Sequence, residues 1–166
     1  MLIMKNIFEK VHQLSREGKC NDMIDILLSG NGTTIKSPYD KDLNHAWYLV
    51  GDAYYRQGKF QFAISAFKRA IEDYPEDKEA ILALANSYSE SNLPEKAEIA
   101  LRDGLRKWPN NEQYIYNLAN ALFDQKKYQE AISLYKSLTD QSELAVLAKR
   151  NIKSAKFMLK NQARSP

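Results

Sequence analysis

The sequence is poor in the residues that break regular structure and in those that build reactive sites. Among 166 residues there are only 6 glycines and 5 prolines, so few positions interrupt a helix or force a turn. There is one cysteine, Cys20. An internal disulfide is therefore excluded, and a chain without disulfides is expected in a reducing compartment. The only histidines, His12 and His45, fall in different segments. No HExxH run, cysteine pair or His/Asp cluster stands at metal-ligand spacing, and no glycine-rich loop is present to cradle a phosphate. No apolar stretch approaches the roughly 20 residues needed to cross a bilayer. The apolar run within Met1–Phe8 is too short for a signal peptide and lacks a small-residue cleavage site. These absences predict a cytoplasmic protein that is not an enzyme and carries no cofactor or metal.

The composition is otherwise that of a soluble domain, with 44% hydrophobic and 27% charged residues. Tyrosine is frequent, at 10, and its amphipathic ring suits helix seams or an exposed binding surface. The net charge of +3 hides an asymmetry. No acid follows Glu143, while Lys149, Arg150, Lys153, Lys156, Lys160 and Arg164 do. Taking those six from the 24 bases leaves 18 against all 21 acids up to Glu143, a net of −3. So small an overall charge neutralises few phosphates, which disfavours nucleic acid as a partner. The acid pairs Glu72-Asp73 and Glu76-Asp77 sit near helix junctions, where they serve as caps and dipole partners.

The strongest signal is an internal repeat. The segments 44–77, 78–111 and 112–145 are equal in length and match the period of helix–turn–helix solenoids, about 34 residues. In the first, Trp47, Val50, Gly51, Tyr54, Ala63, Phe67, Ala70 and Pro75 mark the pattern. The second places Ile81, Leu84, Ala85, Tyr88, Ala97, Leu101, Gly104 and Pro109 at the same spacings. The third places Ile115, Leu118, Ala119, Leu122, Ala131, Tyr135, Leu138 and Glu143 there. Steps of three and four put Trp47, Val50 and Tyr54 on one helix face. Gly51, Ala85 and Ala119 are small where a neighbouring helix must cross closely. Gly58 and Asn92 suit the left-handed conformation that ends a helix, Pro94 a first-turn position, and Pro75 and Pro109 stop the second helix.

These residues resemble the tetratricopeptide repeat family, whose pattern runs Trp–Leu–Gly–Tyr and then Ala–Phe–Ala–Pro. The match covers residues 44–145, well over half of the chain. The first segment departs only at Val50, the third at Leu138 and Glu143. The resemblance implies an all-α helix–turn–helix solenoid, an α-α superhelix of about three repeats with a concave groove.

The ends extend this scheme. Residues 1–30 read as a degenerate helix pair. Ile3, Ile7, Val11 and Leu14 line its first helix, Gly18-Lys19 the turn, and Met23, Ile24 and Leu27 its second. Gly18 and Gly58 stand six positions further apart than one repeat period. The excess falls in a loop over 31–43, whose tract Ser29–Asp40 is rich in turn formers. Its Asn31-Gly32-Thr33 triplet matches a glycosylation acceptor only as short motifs do by chance. Residues 146–166 hold a capping helix and tail, the helix spanning about Ser142–Lys160. Leu144, Ala148, Ile152, Ala155 and Leu159 form its apolar stripe, with Lys149, Lys153, Lys156 and Lys160 beside it. A polar outer face is what a terminal repeat needs; a surface for an acidic partner is the other reading.

In the resembled family the first helix of each repeat lines the groove. The first segment then contributes His45, Tyr48, Asp52, Tyr55 and Arg56. The second contributes Glu79, Leu82, Asn86, Ser89 and Glu90, and the third Gln113, Tyr116, Asn120, Phe123 and Asp124. Members that grip a chaperone's C-terminal carboxylate use a clamp of two lysines, two asparagines and an arginine. The corresponding places here hold Tyr48, Asp52, Ala83, Gln113 and Asn117, with no base, so such tails are not expected to bind. The groove instead fits an extended, partly apolar peptide with a basic residue, which points to an adaptor or co-chaperone binding a protein partner. A client chaperone of bacterial type III secretion and a self-assembling homo-oligomer joined through terminal helices are the alternatives. The same aromatic residues would also suit packing between the chain's own helices.

Overall fold

The computed structural model describes residues 7–138 and 143–162. Ile3, the expected helix start at Ser142 and the tail 163–166 lie outside the described residues. Among the described residues there are nine α-helices: α1 Glu9–Arg16, α2 Cys20–Leu27, α3 Leu43–Arg56, α4 Phe60–Asp73, α5 Lys78–Glu90, α6 Pro94–Lys107, α7 Glu112–Asp124, α8 Tyr128–Ser137 and α9 Glu143–Gln162. A 3-10 turn, Tyr39–Lys41, precedes α3, and one antiparallel bridge joins Leu28 to Ile35. The fold is all-α, as the periodicity predicts.

Starts and stops recur at the repeat period for local reasons. The Asp42 carboxylate accepts from the His45 amide at 3.1 Å, and the Asp77 carboxylate from the Ala80 amide at 2.9 Å. The Asn111 side chain accepts from the amides of Gln113 and Tyr114. Each satisfies donors that a helix leaves unpaired in its first turn. At the turn inside each helix pair one residue takes a positive φ: Gly18 (72°), Gly58 (71°), Asn92 (57°) and Lys126 (62°). The first three are types that tolerate this conformation; Lys126 is not, and its backbone is strained there.

The chain divides within α5 into two compact units, one ending at Ser87 and the other beginning at Tyr88. In the first, α1, α2 and the loop share a core with α3 and α4. Phe8, Val11, Leu14, Met23 and Leu27 are buried in one cluster with Trp47, Leu49, Val50 and Ala70. A β-carbon on Gly51 would come within 2.6 Å of the Phe67 ring, so α3 and α4 approach as closely as that position allows. The loop folds back on the unit. Lys36 donates its amide to the Leu27 carbonyl at 2.8 Å, and Ile35 is buried. Arg69 on α4 stacks over the Trp47 ring at 4.4 Å and donates to the Thr33 carbonyl.

In the second unit, α6 meets α7 where Gly104 faces the fully buried ring of Tyr114. Glu98 on α6 accepts from Arg102 at 2.7 Å, from Gln125 at 2.7 Å and from Lys127 at 2.9 Å, tying α6 to the α7–α8 turn. Helix α9 packs on α7 and α8 through Ala148, Ile152, Ala155 and Leu159. Ala155 forms a cluster with Tyr128 and Ile132 against which Phe123, Ile152 and Leu159 lie.

Candidate functional site

The expected groove residues are best followed unit by unit. On α3, His45, Tyr48, Asp52, Tyr55 and Arg56 recur at steps of three, four, three and one, and so share one helix face. Tyr48 and Tyr55 are half-buried, each resting on a ring of α4: Tyr48 lies 5.7 Å from Phe67, and Tyr55 meets Phe60 edge-on at 5.4 Å. Burial raises the Asp52 carboxyl above its ordinary value despite the opposing pull of Arg56, 3.7 Å away on the next turn. Burial likewise raises the Tyr48 hydroxyl, with the charges of Asp52, Asp77 and Glu79 adding to the effect. Glu79, at the start of α5, thus lies within electrostatic reach of the α3 face. Leu82 and Asn86 further along α5 are half-buried.

Both ends of the α3 face are held by α1. Arg56 donates to the carbonyl and the hydroxyl of Ser15, each at 2.9 Å. The Nε2 atoms of His45 and His12 are 3.3 Å apart, so one imidazole donates and the other accepts. Phe8 packs edge-on against His45 at 4.6 Å. Sequence reading did not find this pairing. The two histidines are distant in the chain, and only the docking of α1 beside α3 joins them.

On α7, Tyr116 lies 5.8 Å from the Tyr135 ring and Phe123 meets Tyr128 edge-on at 5.3 Å. The ring couples of α3–α4 are therefore repeated in α7–α8, two periods on: Tyr48 with Phe67 becomes Tyr116 with Tyr135, and Tyr55 with Phe60 becomes Phe123 with Tyr128. The groove aromatics are half-buried rings backed by their own hairpin. Asn120 is more committed than the sequence suggests. Its carboxamide oxygen accepts from the Tyr135 hydroxyl at 2.5 Å and from Asn151 at 3.2 Å, and Asn151 also reaches the Tyr116 hydroxyl at 3.2 Å. Burial pushes the Tyr135 hydroxyl up to about 12, against a lowering by its bond from Asn151. Asp124 is raised by burial and by the charge of Glu90. Glu90 is exposed, and its charge reaches the Asp124 carboxyl. Among the described residues no three His, Cys, Asp or Glu side chains converge as a metal site, and no helix is long and apolar enough to cross a membrane.

Comparison with known proteins places this geometry. Residues 54–118 and 113–138 match models of the tetratricopeptide repeat, together just over half the chain. The type IV pilus assembly protein PilF of Pseudomonas aeruginosa is 26% identical over 124 residues, covering 74% of this chain and 48% of the relative. The chain thus spans about half the length of that protein. Two solved structures share the fold. The Sgt2 tetratricopeptide repeat domain from Aspergillus fumigatus superposes with a TM-score of 0.64 at 20% identity, covering 74% of this chain and 82% of its own. The structure titled MamA MSR-1 C2 gives 0.61 at 16% identity, covering 96% and 99%.

Proposed function

Because the chain belongs to the tetratricopeptide repeat family, a family of helical-repeat solenoids that act as protein-interaction modules, we propose that it is a non-catalytic adaptor or co-chaperone that holds an extended segment of a partner protein. The observation that carries this reading is the doubled arrangement of half-buried rings with carboxylates beside them. Tyr48 and Tyr55 flank Asp52 along α3, and Tyr116 and Phe123 share a face of α7 with Asp124, which feels the charge of Glu90. Rings already backed by Phe60, Phe67, Tyr128 and Tyr135 lose little freedom when a partner covers them, so they offer apolar area at low entropic cost. The carboxylates select a lysine or arginine in the bound segment. The free thiol of Cys20 fits a reducing compartment such as the cytoplasm.

Display selection from a random extended-peptide library tests this. Selected peptides should combine apolar residues with a basic one, and Glu90→Lys with Asp124→Lys should shift the selection toward acidic residues. Peptides without a basic residue, or a selection unmoved by that reversal, would refute the cation preference. Tight binding of a free acidic C-terminal peptide would contradict it as well. The likeness to a pilus assembly protein favours a second reading, in which the held segment belongs to a subunit awaiting incorporation into a larger assembly. That reading requires the complex to keep the subunit soluble, which light scattering measures.

A further inference from the structure

Helix α9 has a second apolar face that none of the other described residues covers. Its inner side is filled by Ala145, Ala148 and Ala155, with Ile152 and Leu159 beside them. On the opposite side Val146 is 66% exposed, Leu147 50%, Phe157 65% and Met158 41%. At about 100° per residue these four fall within roughly a third of the helix circumference, with Arg150 and Ser154 between them. Of the eight large exposed hydrophobic residues among the described residues, four lie on this one face, a concentration that chance scatter of surface side chains does not produce.

The face has a place in the repeat. Adding one repeat period to Gln113, Tyr116, Asn120, Phe123 and Asp124 gives Leu147, Arg150, Ser154, Phe157 and Met158. The exposed ridge therefore occupies the register of the candidate groove residues on α7, to which Asn151 joins α9 directly. The same shift applied to Ile115, Ala119 and Leu122 gives Lys149, Lys153 and Lys156. Where α7 presents apolar side chains for a companion helix, α9 presents lysines. Every charged residue after Glu143 in α9 is basic: Lys149, Arg150, Lys153, Lys156 and Lys160.

We propose that the outer face of α9 docks an acidic amphipathic helix of a partner protein. The apolar ridge calls for an apolar stripe on the occupant, and Arg150, Lys153, Lys156 and Lys160 call for carboxylates beside it. Val146 to Phe157 spans about 16 Å of helix, which sets the occupant at about three turns. A second copy of α9 is disfavoured as the occupant, because two-fold pairing would set five positive charges against five. The proposal extends the protein-binding reading to residues other than Tyr48 and Tyr55, and either can fail without the other.

Fluorescence anisotropy on the full chain tests it with a labelled helical peptide of about twelve residues, leucine and phenylalanine at helical spacing and glutamate elsewhere. Controls are a scrambled peptide and one with lysine for each glutamate. The acidic helix should bind at least about tenfold tighter than either control, and more weakly as salt rises from about 50 to 300 mM. Leu147→Glu with Phe157→Glu should weaken binding about tenfold or more with the helical circular dichroism unchanged. Lys153→Glu with Lys156→Glu should remove most of the salt dependence, whereas Tyr48→Ala with Tyr55→Ala should leave binding intact. Equal affinity for the controls overturns the proposal, as does insensitivity to both α9 variants or loss of binding in the Tyr48/Tyr55 variant. So does sedimentation with phosphatidylcholine vesicles containing about a third phosphatidylglycerol when the peptide fails to bind. A doubling of mass by light scattering that Leu147→Glu and Phe157→Glu abolish also overturns it.

Discussion

Gly104 exists as glycine because Tyr114 needs its space: a β-carbon there would overlap Cε1 and Cδ1 of a ring that is fully buried. One period earlier the corresponding residues are Ala70 and Ala80, both fully buried. Volume has moved from one helix to its neighbour, Ala/Ala becoming Gly/Tyr. Gly104→Ala should therefore destabilise the protein, since overpacking a tight core costs about 1–3 kcal/mol, more than the roughly 1 kcal/mol that alanine gains within a helix. Tyr114→Ala should cost about 3–5 kcal/mol. The double variant restores the Ala/Ala arrangement and should be more stable than Tyr114→Ala alone. Urea denaturation of the three variants checks this; losses that simply add would contradict it.

At the α7–α8 turn, Lys126 holds a φ of 62° that its counterparts Gly58 and Asn92 adopt more readily. Lys126→Gly should stabilise by up to about 1 kcal/mol, because a side chain in the left-handed region costs roughly that much. Gly58→Ala should destabilise through the backbone alone, since a β-carbon there meets nothing within 4 Å. Thermal melts giving the opposite order would show that the strain is not stored at these turns.

Acid should weaken the second unit through Glu98, whose side chain is 13% exposed. Burial acts to raise its pKa, but hydrogen bonds from Lys127, Arg102 and Gln125 outweigh that and hold it at about 2, below the ordinary 4.5. A carboxylate depressed by folding adds stability above the unfolded value, and that stability is lost as pH falls from 4.5 toward 2. The gap in melting temperature between the wild type and Glu98→Gln should be widest above about pH 5 and should narrow through that window. A constant gap would mean that Glu98 is not the titrating group.

The histidine pair works in a different range. Burial, and then the neighbouring His12, lower the His45 pKa below 6.5. The unfolded chain takes up that proton more readily, so the stability due to the neutral ring is present above 6.5 and is lost as pH falls below it toward the folded value. The protection of α1 amides, taken relative to their intrinsic exchange rate at each pH, should fall over that interval in the wild type and change less in His45→Asn. Identical profiles would separate α1 from this titration.

Much of the fold was legible because helix faces repeat. Three- and four-residue steps name the buried side of each helix, and the repeat period pairs the helices. Gly58 and Asn92 mark left-handed turns by residue type, whereas Lys126 carries no such mark and only its register betrays it. Which residue of one helix meets which of another is not periodic information. The exchange of volume between Gly104 and Tyr114, the contact of His12 with His45 and the bond from Asn151 to Asn120 therefore escaped the sequence. The candidate groove residues were named from register, and register says nothing of the rings behind them. Phe60, Phe67, Tyr128 and Tyr135 became visible as their supports only in three dimensions. The outer face of α9 is hidden in the sequence because Lys149, Lys153, Lys156 and Lys160 give the helix the pattern of a polar cap.

If the half-buried rings of α3 or those of α7 hold a partner's chain, trimming the set that holds it must release it. Isothermal titration of the full protein with a library-selected peptide, repeated on Tyr48→Ala and on Tyr116→Ala, puts this to trial. At least one substitution should weaken binding about tenfold or more while the helical circular dichroism is retained. Unchanged affinity in both variants would place the binding surface elsewhere and refute the role given to these rings.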